Sequence, residues 1–235
     1  LMLSSHNILN PANGSPITVP SQDMVLGLYY ITKPLKSTED MKVPGEGMCF
    51  YSPEEVIIAY NEKKVHLNAT IKCRVNLEGD GKMVLTETTV GRVLFNQVVP
   101  ENYGYINKLL TKKALRDIIG SVLYKCGNAA TTKFLDDVMS MGFRMAFVGG
   151  LSFNLGDVLI PEEKAELIAE SNEKVDEIQE QYEMGIITNT ERSNQIIDVW
   201  THTNANLSKV LIKKIAADRQ GFNPVYMMLD SGARG

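Results

Sequence analysis

The side chains that could do chemistry are few and scattered. His6, His66 and His202 stand isolated along the chain, without the spacing of a paired base or of metal ligands, and each reads as a polar-face or loop histidine. Asp136 and Asp137 are adjacent, and on a helix their side chains splay about 100° apart, too far to chelate one metal neatly. Cys49, Cys73 and Cys126 are odd in number and widely spaced, which fits neither a disulfide framework nor paired zinc ligands. They read as reduced thiols in or near the core. The chain has no Gly-rich loop with a following Lys, no Gly-x-Ser-x-Gly elbow and no His-Glu-x-x-His pair, and Gly149-Gly150 is a weak signal. On residue chemistry alone the chain is a scaffold without an active site.

Two loops stand out from that background. Val-Pro-Ser-Gln-Asp, Val19 to Asp23, sets Gln22 and Asp23 on a Pro-stiffened loop suited to binding, although turn capping by Ser21 and Asp23 explains it equally. Tyr226 to Gly235 ends an apolar run with two Gly flanking Arg234. Backbone can approach a ligand closely there while the guanidinium meets phosphate, and a solvated terminal Arg is the plainer alternative.

Several elements must position these loops. Asn10 to Asp23 is dense in Pro, Gly and Asn and reads as an ordered loop, and Met24 to Ile31 is an apolar run that leans to helix but fits a strand. Pro34 to Gly47 reads as a surface connection. Ser52, Pro53 and Glu55 form a capping box for a helix to about Asn61. From Val65 to Val75 apolar and polar residues alternate, the period of a half-exposed strand. Glu78 to Gly81 supplies a turn, and Met83 to Val90 can return as the antiparallel partner. Apolar residues at helical spacing predict helices over 111–126 and from about 132 to 148, with Gly127 as a C-cap between them.

The last third predicts two long antiparallel helices. Ile168, Ser171, Val175, Ile178 and Tyr182 step by three and four, as do Ile196, Trp200, Thr203, Leu207, Val210 and Lys214, with Gly185 and a Thr188–Glu191 capping box between them. The first arm, Glu162 to Met184, starts after Pro161 and spans about 34 Å at roughly 1.5 Å per residue. Its many Glu read as a solvated face. The expected fold is α+β: a mixed N-terminal region with a β-hairpin and short helices, then a long antiparallel helical hairpin.

With 235 residues, 44% of them hydrophobic and 22% charged, the composition is that of a globular chain and not of a disordered one or a fibre. Its 24 basic and 28 acidic residues give a net charge of −4, so no overall basic footprint for nucleic acid exists. No apolar run approaches the roughly 20 residues that cross a bilayer, and a cytosolic setting is the default. The chain opens at Leu1 and stops at Gly235, and both ends read as cut from something longer.

These segments also carry a family resemblance. Ser5 to Thr32, including Val-Pro-Ser-Gln-Asp-Met-Val-Leu-Gly-Leu-Tyr-Tyr, resembles the stretch after the catalytic aspartate loop in the β′ subunit of bacterial DNA-directed RNA polymerase. Thr88-Thr-Val-Gly-Arg92, then Glu177-Ile-Gln-Glu-Gln-Tyr182 with Gly185, Thr188 and Glu191-Arg192, and finally Ser231-Gly-Ala-Arg-Gly235, resemble that subunit in the same order. The resemblance spans the whole chain. It implies three regions: 1–31 at the edge of the active-site region, 32–160 a pore region, and 161–235 a funnel region with a rim-helix hairpin. Together these would line the secondary channel through which nucleoside triphosphates enter and backtracked RNA leaves.

The resemblance further implies site residues and partners. Gln22 would face displaced RNA and Arg234 the incoming triphosphate, while Glu191, Arg192 and Asn194 at the hairpin tip would receive transcript-cleavage factors. Partners would be the β, α, ω and σ subunits, the DNA template and RNA, in the bacterial cytoplasm at the nucleoid. The family's Asn-Ala-Asp-Phe-Asp-Gly-Asp motif, whose three Asp hold catalytic Mg²⁺, does not occur here, and the subunit's zinc sites lie elsewhere. This chain alone would therefore not polymerise RNA. Ser140 and Gln195 stand where many members have Tyr and Lys beside a guanosine tetraphosphate site, so that nucleotide is not expected. The rival reading is a free-standing interaction protein whose helical hairpin docks partners.

Overall fold

A computed structural model describes residues 3, 5, 7–38 and 41–234. His6 and the end residues Leu1 and Gly235 lie outside the described residues. The chain forms two compact units, residues 1–152 with 227–235, and residues 153–226.

The first unit begins with a Pro-rich loop leading into α1 (Asp23–Thr32). Val25, Leu26, Leu28, Tyr29 and Ile31 of this helix are all buried, which is why its apolar run has no readable period. Next come β1 (Cys49–Phe50), α2 (Pro53–Asn61), β2 (Thr70–Asn76), β3 (Met83–Thr89), α3 (Val90–Asn96) and α4 (Lys112–Gly149). The sheet has the order β1-β2-β3, with β1 parallel to β2. β2 and β3 form the expected antiparallel hairpin, pairing Thr70 with Thr89 through Asn76 with Met83. The core gathers Val25, Leu28 and Ile31 of α1, Ile71 and Val75 of β2, Phe95 of α3, and Ile119 and Phe134 of α4.

Glycine sets how closely α1 approaches its neighbours. A Cβ on Gly27 would lie 2.1 Å from the Gly142 carbonyl oxygen, and one on Gly142 2.8 Å from that of Met24, so the α1 and α4 backbones meet without side chains between them. Helix α4 is broken once, at Gly127 (φ 77°, ψ 176°), and its second arm resumes directly, about four residues before the predicted start at Thr132. Thr131, in the first turn of that arm, donates its hydroxyl to the Gly127 carbonyl.

Three local expectations are corrected. The strand does not begin at Val65, because Asn68 turns to serve the end of α1 instead: it is buried, its side-chain amide donates to the carbonyls of Tyr30 (2.6 Å) and Lys33 (2.9 Å), and its backbone carbonyl accepts from Leu35 N. The α2 capping box is shifted, since the Glu55 carboxylate accepts from Tyr51 N at 2.7 Å and not from the Ser52 N-cap. Cys49 is exposed; of the three thiols only Cys73 is fully buried.

The second unit holds α5 (Lys164–Glu183) and α6 (Asn189–Ala217), antiparallel as the spacing predicts. Their seam is marked by the Ser171 and Thr203 hydroxyls, 2.6 Å apart. At the open end of this hairpin the buried Asp157 pairs with Arg219 at 3.3 Å, and the Asn223 amide donates to the Asp157 carbonyl at 3.0 Å. The chain closes with α7 (Pro224–Ser231).

Candidate functional site

The first candidate site is the corner formed by the start of α1 and the last turn of the chain, all within the first unit. Gln22 is the N-cap of α1 and holds a left-handed backbone (φ 50°), a conformation a non-glycine residue adopts only when its surroundings impose it. Asp23 follows on the first turn, and its Oδ1 accepts from Arg234 Nη2 at 3.1 Å. The two loops singled out in the sequence, more than two hundred residues apart, thus meet through the Asp23–Arg234 pair. Gln22 and Arg234 are both exposed.

The last turn is held from within. Ser231 is buried; its hydroxyl donates to the Met228 carbonyl and accepts from Ala233 N, both at 3.2 Å, and Arg234 N donates to the Met228 carbonyl. Tyr29, Lys33 and Asp230 complete the corner, and sequence reasoning missed all three as site residues. Tyr29 and the C-cap Lys33 are four residues apart in the sequence, but the partner Asp230 lies 201 residues from Tyr29. Burial lowers the Lys33 ammonium below its ordinary value, and the Asp230 carboxylate draws it partly back up.

The corner offers cationic and amide donors to an anionic ligand. Asp23 engages one guanidinium nitrogen of Arg234, and a planar fork with five N–H donors retains capacity for a phosphate. Among the described residues no three His, Cys, Asp or Glu side chains come together, so the corner does not fit a carboxylate-held Mg²⁺, and no step through a metal is assigned to it.

The second candidate site is the tip of the helical hairpin. Thr188 and Glu191 form the predicted capping box: the Thr188 hydroxyl accepts from Glu191 N, and the Glu191 carboxylate accepts from Thr188 N (2.8 Å) and Oγ1 (2.9 Å). Those two hydrogen bonds, first from the backbone and then from the hydroxyl, hold the Glu191 carboxyl below its ordinary range. Arg192 donates to Gln179 Oε1 (3.1 Å) and Asn189 Oδ1 (2.9 Å), with its guanidinium 4.8 Å from the centre of the Tyr182 ring. Both side chains are engaged within the tip. Asn194 is exposed, as are Met184 (71%) and Ile186 (68%), the apolar residues at the turn.

The two described histidines, His66 and His202, behave as polar-face residues. His66 Nδ1 accepts from Asn68 N, and burial lowers its pKa; His202 on α6 is exposed, 3.3 Å from Asp198 on the same face. Among the described residues no helix is long and apolar enough to cross a membrane.

Residues 7–158 match the family model described as RNA polymerase Rpb1, domain 3, and residues 187–235 match RNA polymerase Rpb1, domain 4. The chain belongs to the RNA polymerase Rpb1 family. Over its whole length it is 60% identical to the DNA-directed RNA polymerase subunit beta' of Parabacteroides distasonis, which it covers to 16%, and 60% identical to that of Flavobacterium johnsoniae, which it covers to 17%. The corresponding subunit of Bacteroides fragilis is 58% identical and covered to 16%. The chain therefore spans about a sixth of the length of these relatives.

Proposed function

We propose that this chain is the pore and funnel part of the β′ subunit of a bacterial DNA-directed RNA polymerase, and that it lines the channel through which triphosphates enter and displaced RNA leaves. Residues 1–31 border the active-site region, 32–160 form the pore and 161–235 the funnel with its rim helices. The whole enzyme, with its β, α, ω and σ subunits, joins nucleotides to an RNA 3′ hydroxyl on a DNA template, in the cytoplasm at the nucleoid. Mg²⁺ and zinc are held by residues outside this chain, so the chain alone is inactive in RNA synthesis. The observation that carries the reading is the end-to-end identity of about 60% to β′ subunits. It is supported by the meeting of Gln22–Asp23 with Arg234, which sets a guanidinium and a side-chain amide at one exposed corner.

In this reading Arg234 contacts the incoming triphosphate and Gln22 the displaced RNA. In the assembled enzyme Arg234→Ala should lower kcat/KM for triphosphates by about 1 to 3 kcal/mol, the scale of a hydrogen bond to a charged group. Unchanged specificity constants would remove the assignment. The hairpin tip receives transcript-cleavage factors, with Asn194 exposed on it and Glu191 and Arg192 fixing its shape. Replacing Glu191 and Arg192 together with Ala should weaken binding of such a factor about tenfold, about 1.4 kcal/mol, while both arms remain helical. Equal affinity in a titration would leave the hairpin a channel wall only.

A further inference from the structure

Beneath the corner that carries Gln22 and Arg234 runs a short chain of hydrogen bonds that starts at the buried Lys33 and Tyr29 and ends on the exposed Asp230. Tyr29 is fully buried (0% exposed); its hydroxyl donates to Asp230 Oδ2 at 2.5 Å and accepts from Lys33 Nζ at 3.1 Å. Lys33 is 8% exposed, and its ammonium stands 5.1 Å from the centre of the Tyr29 ring. An ammonium and a phenol are costly to take out of water, and they persist in a core only where partners satisfy them. Here the partner is a carboxylate on the final helix. Asp230 directly precedes the Ser231–Arg234 turn, which is folded back on α7 by Ser231 Oγ and the Met228 carbonyl. Helix α1 therefore grips the end of the chain at two places: through Asp23 on its first turn, and, about 9 Å along the axis, through Tyr29 six residues later, whose hydroxyl is backed by Lys33 at the C-cap.

We propose that Tyr29 and Lys33 are positioning residues for Arg234: the Lys33–Tyr29–Asp230 chain fixes the turn that aims the guanidinium, and it acts on triphosphate binding only through that turn. The inference rests on the reading of Arg234 as a triphosphate contact. Tyr29→Phe keeps the ring and its packing and removes only the hydroxyl, so Asp230 loses the Tyr29 donor and the turn loses one of its two anchors to α1.

The test is made in the assembled polymerase. Tyr29→Phe should raise the triphosphate KM about fivefold to tenfold with kcat held within about twofold, because an oriented binding contact is lost and the chemical step is not. In an Arg234→Ala background the same change should add nothing, since residues acting through one group are not additive. Hydrogen exchange at the Ala233 and Arg234 amides should quicken in Tyr29→Phe and in Lys33→Met alike, and Lys33→Arg should restore slow exchange. Unchanged exchange in both variants, or a Tyr29→Phe effect that survives in full without Arg234, would overturn the proposal. Faster exchange with a triphosphate KM unmoved by both Tyr29→Phe and Arg234→Ala would uphold the anchor and overturn the triphosphate reading beneath it.

Discussion

Cys73 sits on the inward face of β2 and has no access to solvent. Burial pushes its thiol up to about 11, with a further upward contribution from the Glu54 and Glu55 carboxylates. A thiol reagent at pH 8 should therefore modify the exposed Cys49 and leave Cys73 untouched until the chain unfolds, which mass spectrometry of the labelled protein would check. Rapid labelling of Cys73 in the folded protein would contradict that burial. The same shift has a stability consequence. Because the folded state holds the thiol proton more tightly than the unfolded state, the contribution is complete below about pH 8.5 and is lost as pH rises toward 11, on the order of 2 kcal/mol. Burial also raises the Tyr105 phenol, which reinforces the alkaline loss. At this scale the sequence was uneven. The alternation over 65–75 places Cys73 inward, but nothing adjacent to Cys49 shows that β1 is a two-residue strand with that side chain facing out. The Tyr29–Asp230 contact was illegible for a different reason: a hydrogen bond spanning 201 residues has no sequence period.

Elements were legible wherever their determinants are local. The β2–β3 hairpin follows from period-two alternation and a Gly-rich turn, and the α6 start from Thr188 and Glu191, whose side chains reach only three residues. The break in α4 follows from one glycine. Helix α1 was ambiguous because it is buried nearly all round, and residues 65–69 read as strand because the demand on Asn68 comes from α1, some thirty-five residues away. The close approach of α1 to α4 gives this scale its prediction. Gly27→Ala puts a methyl group 2.1 Å from the Gly142 carbonyl oxygen and 2.7 Å from Ala146 N, both backbone atoms, so the helices must part. The cost should be about 3 kcal/mol or more, a fall in Tm of roughly 6 to 12 °C. Gly120→Ala in the first arm of α4 meets only Pro16 Cγ at 3.7 Å and should gain about 0.5 to 1 kcal/mol from helix propensity. Thermal unfolding of the two variants distinguishes them, and a Tm unchanged by Gly27→Ala would show that the helices do not rely on that contact.

At the scale of the whole molecule, the chain is two compact units, the first built on a hydrophobic core and the second on the α5–α6 hairpin, in a family whose longer members it covers to about a sixth. Family membership was legible because the matching segments are long and ordered, while the meeting of the first and last of them at one corner required the fold. The central claim is that this corner faces the path of triphosphates and displaced RNA. It is tested most directly by placing a photoreactive amino acid at Gln22 in the assembled polymerase, stalling transcription so that the RNA backtracks, and illuminating. The account predicts a cross-link between position 22 and the displaced RNA 3′ segment that weakens when the RNA is returned to register. Complexes that backtrack normally yet give no RNA cross-link from position 22 would contradict it.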